Sequence, residues 1–176
     1  MPIQDVLRDQ SQRILRAEGL PEDMLQASNP VRERLYAVLG DTSVPLDEVV
    51  DIAMELPESQ GVDRQLIATR VAAQHTVWMN WLREHPPAPY FQALDVPVLA
   101  LFGEKDLQVA PEIAVPALAQ ALEGKDGVTI EVFDGANHFF QPAVTGSVTE
   151  YGSIETTMQP AVLERIRGWI LENAEG

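Results

Sequence analysis

Two residues in this 176-residue chain have types and surroundings suited to moving protons. Asp106 closes the turn Gly103-Glu104-Lys105-Asp106 directly after an apolar run, and His138 closes Asp134-Gly135-Ala136-Asn137-His138 directly after a second run. Carboxylates and imidazoles are the usual side chains of general acid–base catalysis. Each also has a plainer use here, Asp106 as the cap of a turn after a strand and His138 as a polar loop residue. A nucleophile is harder to find. The chain has no cysteine, which removes disulfides, thiolate metal sites and a thiol nucleophile together. Its serines are Ser11, Ser28, Ser43, Ser59, Ser147 and Ser153, and none lies in a G-x-S-x-G turn. The other histidines, His75 and His85, read as surface or packing residues. No two of the three histidines are spaced to share one helix face, so no metal-site signature appears. The glycines form neither a dinucleotide fingerprint nor a phosphate loop, and no cofactor is called for.

Composition sets the class. A hydrophobic fraction of 45% and a charged fraction of 22% are those of a globular domain able to build a core. Twelve Lys and Arg against 27 Asp and Glu give a net charge of −15. A surface so negative repels phosphate backbones and anionic headgroups, so neither nucleic acid nor a membrane is an expected partner. The N-terminal residues show no apolar signal-peptide core, and the longest apolar run, Val96 to Phe102, is far too short to span a bilayer. The chain reads as soluble, with its compartment open.

The elements that must position Asp106 and His138 lie in the second half. Val96 to Phe102 is apolar without alternation, as in a parallel strand covered on both faces. Pro111 starts a helix that ends near Gly124, Val128 to Phe133 reads as a second strand, and a last helix spans about Pro160 to Asn173. Strand, helix, strand and helix in that order form a right-handed βαβα unit. The first half reads as helices alone. One runs from Pro2 to Gly19, one starts at Asn29-Pro30 and stops at Gly40, one follows Pro45, and a long one covers about Asp63 to Arg83. The stretch His85-Pro86-Pro87-Ala88-Pro89 breaks the pattern. Two parallel strands do not make a stable sheet, so at least one further strand, absent from these residues, is expected beside Val96–Phe102.

Asp95-Val96-Pro97-Val98-Leu99-Ala100-Leu101-Phe102-Gly103-Glu104-Lys105-Asp106, followed by Asp134-Gly135-Ala136-Asn137-His138, resembles the final third of an α/β-hydrolase. More narrowly it is similar to the bacterial esterase and serine-aminopeptidase-like branch, as is the closing segment from His138 through Gly146, Glu150-Tyr151 and Pro160. The fold implied is α/β, a partial hydrolase fold. Residues 1–85 would be a helical cap, 86–95 a Pro-rich linker, and 96–176 the last two parallel strands with their helices. The resemblance implies that Asp106 and His138 are the acid and histidine of a Ser-His-Asp triad. In such a triad the imidazole takes the serine proton and the carboxylate holds one tautomer. It also makes Trp78, Trp81, Tyr90, Phe91 and Phe139 candidates for a substrate pocket, with core packing the plainer role of the cap aromatics.

The expected function is the C-terminal portion of a serine hydrolase acting on carboxylic esters or related acyl substrates. Such a portion, lacking the nucleophile, is inactive alone. It needs either the missing N-terminal half or self-association at the exposed sheet edge. Two alternatives stand beside it, a non-catalytic binding or interaction module and a truncated gene product with no function of its own.

Overall fold

The computed structural model describes residues 1–173, which divide into two compact units. The first eight helix-and-strand elements in chain order are α1 (Ile3–Ala17), α2 (Glu22–Val38), α3 (Leu46–Met54), α4 (Arg64–Gln74), α5 (Val77–Glu84), α6 (Ala88–Gln92), β1 (Val98–Gly103) and α7 (Pro111–Ala121). They are followed by β2 (Val128–Phe133) and α8 (Pro160–Asn173), with short 3-10 turns at Pro57–Ser59 and Val148–Ser153. The helical unit holds Pro2–Arg8 and Gly19–Pro86. The strand-bearing unit holds Asp9–Glu18 and everything described from Pro87 onward, so α1 contributes to both.

The helical unit has a consolidated core. Leu35, Tyr36 and Leu39 of α2 meet Val49, Val50 and Ala53 of α3, with Ile67 and Val71 of α4 and Leu56 closing the cluster. All but Leu56, which lies just past the end of α3, are helical, and packing α2, α3 and α4 together buries their apolar sides. The buried Arg32 donates from Nε to Ser28 Oγ at 3.2 Å and pairs with the half-buried Glu58 at 2.8 Å. Two boundaries differ from expectation. The helix thought to begin at Asn29 starts at Glu22 and runs straight through Pro30, with Leu25 and Leu35 buried on either side of it. The single helix expected over 63–83 is two, because the Thr76 side chain accepts the Met79 N–H at 3.2 Å and caps a new helix. The Pro-rich stretch contains the short helix α6, with Pro87 at its N-cap.

The strand-bearing unit is built on a two-stranded parallel sheet in which Val98 faces Val128 and Gly103 faces Phe133. Helix α7 makes the crossover. The βαβα order read from the sequence is therefore present, as a mixed α/β arrangement. The expectation that the first strand is covered on both faces is not met, since Val98 to Phe102 are only half-buried. The reason is local. Among the described residues no strand pairs with the outer edge of β1, and the buried apolar residues of this unit are mostly small, Ala110, Ala114, Ala121 and Ala136 beside Leu122 and Val162. Val132, Leu163, Ile170 and Leu171 stay exposed.

Candidate functional site

Both strands of the sheet end, at their C-terminal edge, in loops that meet. Asp106 leaves β1 by a tight turn whose N–H returns to the Gly103 carbonyl at 3.1 Å. Its carboxylate then caps the following loop, Oδ1 accepting the main-chain N–H of Gln108 at 2.7 Å and of Val109 at 2.9 Å. The main-chain amides and the imidazole are thus bonded by different oxygens of one group. Oδ2 is left for His138, whose Nδ1–H donates to it at 2.8 Å. The carboxylate side chain is 6% exposed and the imidazole 36%.

The loop that carries His138 is fixed by its neighbour. Asn137 is fully buried, and its Oδ1 accepts the main-chain N–H of Phe139 and of Gln141, both at 3.0 Å. Its Nδ2 donates to Gln141 Oε1 at 2.9 Å, so three polar contacts hold a side chain with no access to water. Phe140 adopts φ 58°, a left-handed conformation that costs a side-chain-bearing residue roughly 1 kcal/mol or more. It is held there by bonds at both ends, its N–H to the Asn137 carbonyl at 2.9 Å and its carbonyl from Gln159 N–H at 2.8 Å. The loop backbone also crosses directly over the end of β1. A Cβ on Gly103 would stand 2.5 Å from the carbonyl oxygens of both Ala136 and Asn137, so only glycine permits the two loops to approach. Gly146, at φ 79°, is bound in the same way, since a Cβ there would collide with the Lys105 carbonyl.

The electrostatics follow from this geometry. Bonding to the Asp106 carboxylate raises the His138 pKa above its ordinary 6.5, with partial burial opposing the shift. Tyr151 is raised above 10.0, first by burial and further by the Asp106 charge, against the lowering effect of its bond from Gln108. That bond, Gln108 Nε2 to Tyr151 Oη at 3.2 Å, ties the acid loop to the segment after the histidine, and Gln10 of α1 reaches Gln108 at 3.4 Å. The Tyr151 ring meets Phe139 edge-on at 5.1 Å, and Phe139 lies 5.8 Å from the imidazole.

Asp106, His138 and Phe139 are therefore together. Tyr90 and Phe91 belong to the same unit on α6, and neither makes an aromatic ring contact among the described residues. Trp78 and Trp81 belong to the helical unit, stacked on one another at 5.3 Å and, through Trp81, on His85 at 4.4 Å. No described serine hydroxyl serves the imidazole. Ser28, Ser59 and Ser153 donate to main-chain carbonyls, Ser43 donates to Asp41, and Ser147 bonds Thr149. Among the described residues no three His, Cys, Asp or Glu side chains cluster to hold a metal ion, and no helix is long and apolar enough to cross a membrane.

Sequence reasoning gave Asn137 and Tyr151 no role of their own and passed over Gln108. A buried asparagine next to a loop histidine is a signal in principle, because asparagine side chains mimic turns. The Gln108–Tyr151 contact spans 43 residues and leaves no local trace. What the site can do chemically is hold one imidazole tautomer. Nδ1 is committed to a buried carboxylate, and Nε2 has no hydrogen-bond partner among the described residues and is free to accept a proton. Comparison with protein-family models, with curated proteins and with solved structures finds no match for this chain.

Proposed function

We propose that Asp106 and His138 are the acid and the base of a Ser-His-Asp relay for acyl transfer on carboxylic esters or related substrates. The chain would be the cap and last two strands of an α/β-hydrolase, with its serine drawn from outside these residues. The observation that carries the reading is the 2.8 Å bond from His138 Nδ1 to a buried carboxylate that is itself anchored by two main-chain amides. Such an arrangement holds the imidazole with Nε2 facing a proton donor, and stabilises the imidazolium that forms when the proton arrives. The half-covered strand β1 agrees with a sheet that continues beyond it. Without a nucleophile, turnover falls by on the order of 10⁶, so the pair alone does not make an enzyme.

The test needs a polypeptide that joins these residues to a G-x-S-x-G turn, located by reading the coding sequence that precedes Met1. Labelling of that serine by a fluorophosphonate, and hydrolysis of a short-chain p-nitrophenyl ester, should both collapse in His138→Ala. Labelling that is indifferent to Asp106 and His138 would end the proposal.

A second reading, a non-catalytic binding module, is favoured by the aromatic stack on α5, where Trp78 is 65% and Trp81 41% exposed. Acyl ligands that raise the melting temperature of the chain, with the rise lost in Trp78→Ala, would support it. No rise with any of them would remove it.

A further inference from the structure

Lys105 immediately precedes Asp106, and Glu150 immediately precedes Tyr151. Both charges are directed at the segment that follows the histidine loop. The Lys105 ammonium donates to the carbonyls of Ala143 at 3.2 Å and Val144 at 2.8 Å. The Glu150 carboxylate accepts the main-chain N–H groups of Val144 at 3.3 Å and Thr145 at 3.1 Å, and that of Gly146 as well. The Ala143 carbonyl and the Val144 N–H belong to one peptide group, and the Val144 carbonyl and the Thr145 N–H to the next. Two successive peptide groups therefore lie between a cation and an anion, each oxygen on the ammonium and each hydrogen on the carboxylate. Hydrogen bonds to ionised groups are the strong ones, and bonds in a chain polarise one another further. Burial, the largest influence on the Glu150 carboxyl, acts to raise its pKa, yet the gathered amides hold it below the ordinary 4.5.

This bridged ion pair folds residues 143–151 into a strap, and the strap ends where the acid and the histidine need support. Ahead of the pair the two loops are already tied, Lys105 N–H to the Ala136 carbonyl at 2.8 Å and Gly135 N–H to Glu104 at 2.7 Å. Beyond the pair, Gln108 and Phe139 are linked to each other through Tyr151, whose Oη accepts the Gln108 bond and whose ring meets Phe139. Burial is the largest influence on the Tyr151 hydroxyl. After it come the Gln108 bond, the Asp106 charge and the His138 main-chain N–H, so both members of the pair act on one oxygen.

We propose that Lys105 and Glu150 are positioning residues for the Asp106–His138 pair, acting together through the two peptide groups they share. Loss of either charge opens the strap, frees Tyr151 from Gln108, and leaves Asp106 Oδ2 without its fixed approach to the imidazole. What this means for acyl transfer rests on the function proposed above. The clamp itself is read on His138 of this chain, with no serine needed.

The test is an NMR titration of His138 in the native chain, in Glu150→Gln, in Lys105→Met, in Lys105→Arg and in the double variant of the first two. Acting through space alone, loss of the Glu150 charge lowers the His138 midpoint and loss of the Lys105 charge raises it. Positioning instead predicts a fall toward 6.5 in both. The double variant should fall no further than the larger of the single ones, since both break one clamp. Lys105→Arg, which keeps the charge and two donors, should restore the native midpoint. A rise in Lys105→Met, or an unchanged midpoint in either single variant, overturns the proposal. Lys105→Gln, also uncharged but still polar, gives the same reading should Lys105→Met not fold. In a polypeptide joined to its serine the two proposals part. Fluorophosphonate labelling that is lost in His138→Ala but unchanged in Lys105→Met upholds the acid–histidine reading and overturns the clamp.

Discussion

Replacing Asp106 by alanine and by asparagine should separate its two duties. Alanine removes an acceptor from two main-chain donors, Gln108 N–H at 2.7 Å and Val109 N–H at 2.9 Å, and from the imidazole at 2.8 Å. Leaving a buried donor unsatisfied costs about 1–3 kcal/mol, and because Gln108 and Val109 are half-buried, water recovers part of each loss. The expected destabilisation is about 2–4 kcal/mol, a large share of the 5–15 kcal/mol that holds a typical domain together. Asparagine keeps a carbonyl oxygen for both amides and should cost about 1 kcal/mol or less. It does, however, present an NH₂ group to His138, which drives the ring proton from Nδ1 to Nε2 and removes the bond to a carboxylate, and with it the charge, that raised the imidazole pKa. Urea unfolding followed by circular dichroism gives the two stabilities, and ¹⁵N-detected NMR of the ring nitrogens gives the tautomer. Equal stability of the two variants, or a ring still protonated at Nδ1 in Asp106→Asn, would refute this division of labour.

Because the His138 pKa is raised on folding, its contribution to stability is complete below 6.5 and is lost as pH rises through the folded value. Unfolding in urea above and below that window should show the loss in the native chain and not in His138→Gln. Gly103→Ala, which places a methyl 2.5 Å from two carbonyl oxygens, should cost about 2 kcal/mol or more in the same assay. Gly168→Ala, with nothing within 4 Å of its Cβ and a site inside α8, should instead gain up to about 1 kcal/mol. The chain alone should hydrolyse p-nitrophenyl acetate no faster than His138→Ala; a clear difference would mean that another group acts as nucleophile.

The order β1, α7, β2, α8 was legible because β1 lies in a continuous apolar run and β2 alternates apolar with polar residues, each closed by a glycine-containing turn, and Pro111 and Pro160 mark helix starts. The same turns drew attention to Asp106 and His138. What failed in the helical half was a rule applied too locally. Pro30 lacks an N–H and normally ends or begins a helix, but Leu25 and Leu35 are both buried on either side of it, and that burial outweighs the single lost bond. Between α4 and α5 the apolar spacing carries on across His75-Thr76, so periodicity alone sees one helix, while the Thr76 cap that divides them is a side-chain event. The supports of the site were hidden for different reasons: Asn137 acts through bonds within its own loop, to Phe139 and Gln141, whose weight comes from a burial that the sequence does not show, while Gln108 bonds Tyr151 across 43 residues.

The alanine-rich interior of the strand-bearing unit has a kinetic corollary. Side chains that small exclude little water and offer few dispersion contacts, so amides of β1 and β2 should exchange with solvent sooner than those of α3, whose Val49 and Val50 are completely enclosed. Whatever rigidity the imidazole enjoys must then come from the short loop bonds around it, and a fluctuation that frees Asn137 would release the ring as surely as a mutation.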